Sequence, residues 1–304
     1  MAAPFDPNPR FQDYSHPERL VSTEWLAEHL DYPSLRIFEC NADSLLYDIG
    51  HLPGALRIDW QKDLFDPITH DVVNGHQFAT LMRHLGVRPG DTVIFYGDKG
   101  NRWAAHAAWV FTLFGHADVR LLDGGRDAWF MEERPSSFAV RNYPVSDYPL
   151  LERKDKYLRV YQLDVLELLG RALILDVRDE KHYRGEMDGS QGIVTSRYGH
   201  IPTAHNIPWD AAIGPDSRFR SRKSLGETYG LVRNIDPRCD VVTYCDNGER
   251  ASHTWFVLTY LLGYDNVFNY DGSWREWGNS MRMPIVRDSQ PGKKPPRPQL
   301  HARR

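Results

Sequence analysis

YGDKGNRWAAHAAWVFTLFGHADVRLLDGGRDAW, residues 96–129, and YCDNGERASHTWFVLTYLLGYDNVFNYDGSWREW, residues 244–277, align at a constant offset of 148 residues without a gap and share ten identities in thirty-four positions. A second pair lies upstream of each: GHLPGALRIDW (50–60) answers GHIPTAHNIPW (199–209) at an offset of 149. The blocks keep their order in both halves. A period near 150 residues is far longer than the roughly 20–50 residues of a solenoid repeat, so the chain reads as a duplicated domain.

Around these blocks the apolar runs are short and bounded by turn residues: LRIFE, DTVIFY and ADVRLL in the first half, LILDV, DVVTY and DNVFNY in the second. Amphipathic stretches such as TEWLAEHL and RWAAHAAWVFTLFG separate them. Strands alternating with helices make βαβ units, and parallel strands need both faces covered. The expected fold is α/β, two tandem domains at 20–137 and 159–285, each a small parallel sheet flanked by helices on both faces and each with its own core. Residues 138–158 (FAVRNYPVSDYPLLERKDKYL) lose periodicity and carry prolines and charges, which predicts a linker. Residues 286–304 are basic and proline-rich, which predicts a disordered tail.

The 304 residues, 41% hydrophobic and 26% charged, suffice for two ordinary globular domains. A formal charge of −4 gives no basic surplus for nucleic acid. No run of about 18 apolar residues is present to span a bilayer, and MAAPFDPNPRFQDYSHPERL has neither a signal-peptide core nor an arginine-rich transit pattern. The expectation is a cytoplasmic protein with no nucleic-acid or membrane partner. The 13 histidines form no HExxH or Cys/His ligand spacing, so no metal site is expected, and no phosphate-binding GxxxxGK[ST] loop occurs. His51 and His200, which recur in the GHxP blocks, are read as setting that turn through local hydrogen bonds, and His253, Trp274 and Trp277 as structural.

Three cysteines, Cys40, Cys239 and Cys245, do not make a disulfide framework. With DVVTY extended between them, Cys239 and Cys245 stand ~20 Å apart, well past the ~7 Å that a disulfide bridges. Cys245 follows the strand VVTY and precedes a helix beginning near Ala251, a strand-to-helix turn of the kind at which open α/β sheets bind ligands. The loop Cys245-Asp246-Asn247-Gly248-Glu249-Arg250 is short, with a glycine that lets it curl its N–H groups and the following helix start toward the sulfur, favouring a thiolate or persulfide. Arg250 is expected to lower the thiol pKa, and Asp246 and Glu249, which would oppose it, to face outward. A lone cysteine reads first as a small buried hydrophobe. The duplicate argues otherwise: Tyr-x-Asp-x-Gly-x-Arg is kept in both halves, with Gly97 in the first where the second has Cys245.

Two longer motifs carry a resemblance. Tyr47-Asp48-Ile49-Gly50-His51-Leu52-Pro53-Gly54-Ala55 and Val267–Trp277 (VFNYDGSWREW) resemble the N- and C-terminal signatures of the tandem-domain rhodaneses, the thiosulfate and 3-mercaptopyruvate sulfurtransferases, and CDNGER falls at that family's active-site loop. The resemblance implies a catalytic second domain, an inactive first domain walling an interdomain pocket, and a Cys245 persulfide formed from a small anionic donor and passed to cyanide or a thiol, such as a thioredoxin-like acceptor. The C-x-x-G-E-R loop resembles bacterial enzymes described as thiosulfate sulfurtransferases, so thiosulfate is the expected donor, with 3-mercaptopyruvate the alternative.

Arg178, ending LILDVR, resembles an arginine of the family near the active site, and reads equally as a salt bridge with Asp176 or Glu180. Where better-known members have a donor-binding arginine four residues on, this chain has His182. Arg184 and Arg197, in a segment about twelve residues longer than its first-half counterpart, are candidates to supply that charge. A cysteine phosphatase or arsenate reductase on the same fold is the rival enzyme, but phosphatases place arginine six residues after cysteine and here Arg250 is five after. The other rival is an inactive binding scaffold.

Overall fold

The computed structural model describes residues 2–186, 195–233 and 239–296. Within them, β1 (Leu20–Val21), β2 (Leu35–Glu39), β3 (Leu56–Arg57), β4 (Thr92–Tyr96) and β5 (Asp118–Leu122) form a parallel sheet in the order β1-β5-β4-β2-β3. The second sheet, β6 (Leu173–Asp176), β7 (Ala204–Asn206), β8 (Val241–Tyr244) and β9 (Val267–Asn269), has the parallel order β7-β6-β8-β9. Where β1 pairs with β5 in the first half, a single parallel bridge from Arg159 to Asn269 stands in the second. β2 and β4 are buried at every position, as central parallel strands must be when helices cover both faces.

Alternate strand residues serve different cores. Ile37 and Ile94 join Trp25 and Trp129 on one side of the first sheet, and Ile174 and Val242 join Trp274 and Trp277 on one side of the second. On their other faces the two halves share one apolar cluster, with Phe38, Phe95 and Trp109 from the first and Leu175, Trp255 and Phe256 from the second. The expectation of two separate cores is corrected here. Helix Arg102–Leu113 is apolar nearly all round, and such a helix must be covered on every side. It packs on helix Glu249–Phe256, its counterpart in the repeat.

The segment between the halves is strapped down rather than free. Tyr148 is buried, its hydroxyl 2.9 Å from His116 Nδ1, and Arg153 donates to Asp71 and to the Val72 carbonyl. The expected disordered tail is also corrected at its start. Val286 and His200 exchange backbone hydrogen bonds of 2.9 and 3.0 Å, and Gln290 O lies 3.1 Å from His200 Nε2. His51 pairs with Ser137 in the same way in the first half, so the GHxP turn is what captures the returning chain. Each of these histidines also bonds locally, His51 to Tyr47 O and His200 to Tyr183 O. Residues 297–304 lie outside the described ones. Among the described residues, no helix is long and apolar enough to cross a membrane.

Candidate active site

The register of the second sheet builds the site. Asp176 stands opposite Tyr244 at the ends of β6 and β8, so the residues that follow, Arg178 and Asp246, emerge side by side. Cys245 is fully buried directly after β8. Its N–H donates to Ser273 Oγ at 3.0 Å, and its sulfur accepts the Gly248 N–H at 3.0 Å. Gly248 has φ +91°, and a Cβ there would lie 2.9 Å from the Asp271 carbonyl oxygen, so both conformation and space require glycine.

The loop's charges differ from expectation. Asp246 and Glu249 face inward and are buried. Glu249 Oε2 is 3.5 Å from Cys245 Sγ and accepts its S–H. Arg250 lies between the carboxylates, Nη1 2.9 Å from Asp246 and Nε 3.5 Å from Glu249, so its field at the sulfur is largely cancelled. A buried guanidinium needs such counter-charges. The thiol is pushed up to about 12, by burial first and then by the Glu249 carboxylate, against the pull of Arg250. Burial and the neighbouring carboxylate therefore favour the protonated thiol, in the opposite direction to the lowering expected from Arg250.

Arg178 is fully buried. Its Nε and Nη2 grip both oxygens of Asp176, Nη2 also donates to Gly199 O at 2.7 Å, and Nη1 is 3.8 Å from Asp246 Oδ1. It holds Asp246 in place and offers no free edge to a ligand. His182 is turned to Asp179, the N-cap of its helix, Nδ1 to Oδ2 2.5 Å. Arg184 pairs with Glu180 and Glu186. Arg197 donates to the carbonyls of Trp277, Gly278, Ser280 and Met283, clipping the end of the second half. Neither Arg184 nor Arg197 bonds to the cysteine loop, and residues 187–194 of the longer segment lie outside the described ones. Within the described residues, no cluster of three or more His, Cys, Asp or Glu side chains is arranged to hold a metal ion.

The first copy has closed the equivalent space. A Cβ at Gly97 would meet the Cys40 carbonyl oxygen at 2.2 Å, and the Gly97 N–H donates to Asn101 Oδ1 at 2.8 Å. At Gly125 a Cβ would lie 2.2 Å from the same Asn101 oxygen. Its counterpart at the 148-residue offset is Ser273, held at φ +51° with its hydroxyl 4.0 Å from Cys245 Sγ. Sequence reading missed Ser273; the change from Gly125 to Ser273, paired with that from Gly97 to Cys245 at the same offset, is the signal that could have found it.

A cleft of about 710 Å³ opens between the halves, lined by Trp60, Phe65 and Asp71 of the first and by Asn247, Asp271 and Arg275 of the second. Arg159 ties Asp71 to Asp271 across it, with both Arg159–Asp271 contacts at 2.7 Å. Arg275 is exposed and forms no ion pair with a described residue, while its N–H donates to Asp246 O at 3.0 Å. Among the described residues it is thus an unpaired cation adjoining the cysteine loop, and it lies outside both the loop and the longer segment that supplied the sequence candidates.

The rhodanese-like domain model matches residues 22–132 and again 162–280. The chain is 52% identical to the thiosulfate sulfurtransferase of Corynebacterium glutamicum, over 94% of this chain and 96% of that protein. It is 47% identical to the sulfur carrier protein TtuD of Thermus thermophilus, over 91% of this chain and 99% of that one. Among solved structures, Escherichia coli SseA, from work on 3-mercaptopyruvate sulfotransferases, superposes with a TM-score of 0.73 at 27% identity, covering 84% of this chain and 98% of that one.

Proposed function

The chain belongs to the rhodanese-like family, with two copies of the domain in tandem, and from that premise we propose that it is a thiosulfate sulfurtransferase working through a persulfide on Cys245. The observation that carries this reading is the asymmetry of the repeat. The second copy holds a buried thiol with an N–H donor at 3.0 Å and a carboxylate at 3.5 Å, and the first copy has glycine there and no room for a side chain. The first copy is non-catalytic in this account and serves as one wall of the cleft.

In the first half-reaction Glu249 takes the thiol proton as Cys245 sulfur attacks the outer sulfur of thiosulfate. The new S–S bond forms as the donor's own S–S bond breaks, and sulfite leaves with the electron pair. The persulfide anion stays in the loop, with backbone N–H groups facing it. Cyanide or a thiol then attacks the terminal sulfur, thiocyanate or a new persulfide departs, and the Cys245 thiolate recovers its proton from Glu249. No step calls for a cofactor. The likeness to a sulfur carrier protein supports a thiol acceptor, and three free cysteines suit a reducing, cytoplasmic setting.

Glu249→Gln separates acidity from catalysis. The carboxylate raises the thiol pKa, so its removal moves the pH curve of Cys245 alkylation to lower pH, whereas loss of the proton acceptor lowers kcat by about a hundredfold. In the wild type the thiol is protonated through neutral pH, so its alkylation rises with pH without a plateau below pH about 10. Slower alkylation at neutral pH together with unchanged kcat would remove Glu249 from this role.

Arg275, on the cleft wall and unpaired among the described residues, is the proposed anchor for the donor's anionic end. A charge-assisted hydrogen bond is worth about 1.5–3 kcal/mol, so Arg275→Gln should raise KM for thiosulfate by about tenfold or more while leaving kcat close to wild type. An unchanged KM would place donor binding elsewhere.

The reading as a whole is tested by turnover with thiosulfate, 3-mercaptopyruvate and an aryl phosphate. Thiosulfate should be the fastest donor to cyanide, and the phosphate should not be hydrolysed, since Arg250 is occupied by two carboxylates and presents no fork to a phosphate. A faster reaction with 3-mercaptopyruvate would change the donor and keep the chemistry. Phosphate hydrolysis would overturn it.

A further inference from the structure

His106 is a fully buried residue of the first half whose Nδ1 lies 3.0 Å from Ser252 Oγ on the helix that follows the cysteine loop. Ser252 Oγ is also 2.9 Å from Gly248 O and 2.8 Å from Asn269 Nδ2. A hydroxyl has one proton to give and two lone pairs to fill. The Gly248 carbonyl, which only accepts, takes the proton, and the Asn269 amide fills one lone pair. The other faces His106, so Nδ1 carries a proton and donates it. Nε2 is then the bare nitrogen, and it has no hydrogen-bond partner among the described residues. Burial, and next the Arg159 charge, push His106 down to about 3, so the ring is neutral and this single tautomer accounts for its contacts.

The anchored carbonyl belongs to the residue whose N–H points at the sulfur. Gly248 O receives the Ser252 N–H at 2.9 Å as well as the Ser252 hydroxyl, and Gly248 N–H reaches Cys245 Sγ at 3.0 Å. Gly248 is the flexible member of the loop, so what holds its carbonyl also decides where its N–H is aimed. We propose that His106 is a positioning residue contributed by the first half: through Ser252 it fixes Gly248, and so keeps the Gly248 N–H directed at Cys245 as sulfur is taken up and released. This rests on the persulfide reading above and gives the nucleophile-free copy a part in the chemistry beyond walling the cleft.

The test uses the full chain with His106→Leu, which removes the donor and keeps most of the volume, and His106→Asn, whose amide N–H stands near the Nδ1 position. With a preorganised donor loosened rather than deleted, kcat for thiosulfate to cyanide should fall about tenfold in His106→Leu, below the ~100–1000-fold cost of losing such a donor outright. KM for thiosulfate should stay within about twofold, since ground-state binding is untouched. Alkylation of Cys245 at fixed pH should slow in parallel, because the thiolate loses part of its N–H stabilisation, and His106→Asn should restore most of both rates. A folded His106→Leu with unchanged kcat and alkylation would overturn the proposal, as would equal slowing of His106→Leu and His106→Asn. Should His106→Leu fail to fold, Ser252→Ala cuts the same link with a smaller change. It should give the same kcat and alkylation signature, and unchanged rates there would equally overturn it. Failure of the wild type to take sulfur on Cys245 would instead strike at the persulfide reading itself.

Discussion

Cys245→Ser should lose sulfur transfer, with thiocyanate formation from thiosulfate falling at least about a thousandfold, because an alkoxide is far harder to generate than a thiolate and oxygen does not carry a sulfane sulfur in its place. Among the described residues, none of the other candidates is positioned to substitute. Gly97 has no side chain, Cys40 is buried in the apolar cluster that the two halves share, and Cys239 lies at the opposite end of β8 from the loop. The fold should survive the change. The serine hydroxyl is smaller than the thiol and finds the same Gly248 donor and Glu249 acceptor, so its polarity is satisfied in place. Steady-state thiocyanate release with matched thermal melts of both proteins checks this, and a serine variant retaining more than a few per cent of the rate would make another residue the sulfur carrier.

Arg178→Met should destabilise the protein by about 3–5 kcal/mol, since it strips the counter-charge from buried carboxylates. Asp176 is fully buried and would keep only its bonds from the Tyr244 hydroxyl and the Arg178 backbone N–H, while Asp246 would retain Arg250 alone. Lysine is expected to rescue little, because one ammonium cannot reproduce a planar fork that grips both Asp176 oxygens and the Gly199 carbonyl together. The double variant Asp176→Asn with Arg178→Met should be more stable than Arg178→Met alone, as it removes the orphaned charge. Urea unfolding of the three variants reads this directly. A single variant within about 1 kcal/mol of wild type would mean that the pair is solvated and the loop does not depend on it.

The architecture was readable because its signals are local. LRIFE, DTVIFY, ADVRLL, LILDV, DVVTY and DNVFNY contain β2, β4, β5, β6, β8 and β9, and only strands of two or three residues, β1, β3 and β7, went unread. Cys245 and the glycine of its loop were legible for the same reason, helped by a second copy to compare. The inward turn of Asp246 and Glu249 was not. It depends on guanidiniums, and Arg178 reaches the loop only through the β6–β8 register, which no feature of CDNGER encodes. Arg197 misled because a free arginine and one spent on four carbonyls look alike in sequence. His106 and Ser252 lie 146 residues apart and meet only because two equivalent helices pack together, a contact set by the shared core that was expected to be two.

The central claim is that sulfur resides on Cys245 during turnover, and the most direct measurement is intact mass of the full chain after thiosulfate alone, followed by peptide mapping. One added sulfur atom per chain, located on Cys245 and removed by cyanide as one equivalent of thiocyanate, is the predicted result. An unchanged mass under conditions of active turnover, or sulfur found on Cys40 or Cys239, would contradict it.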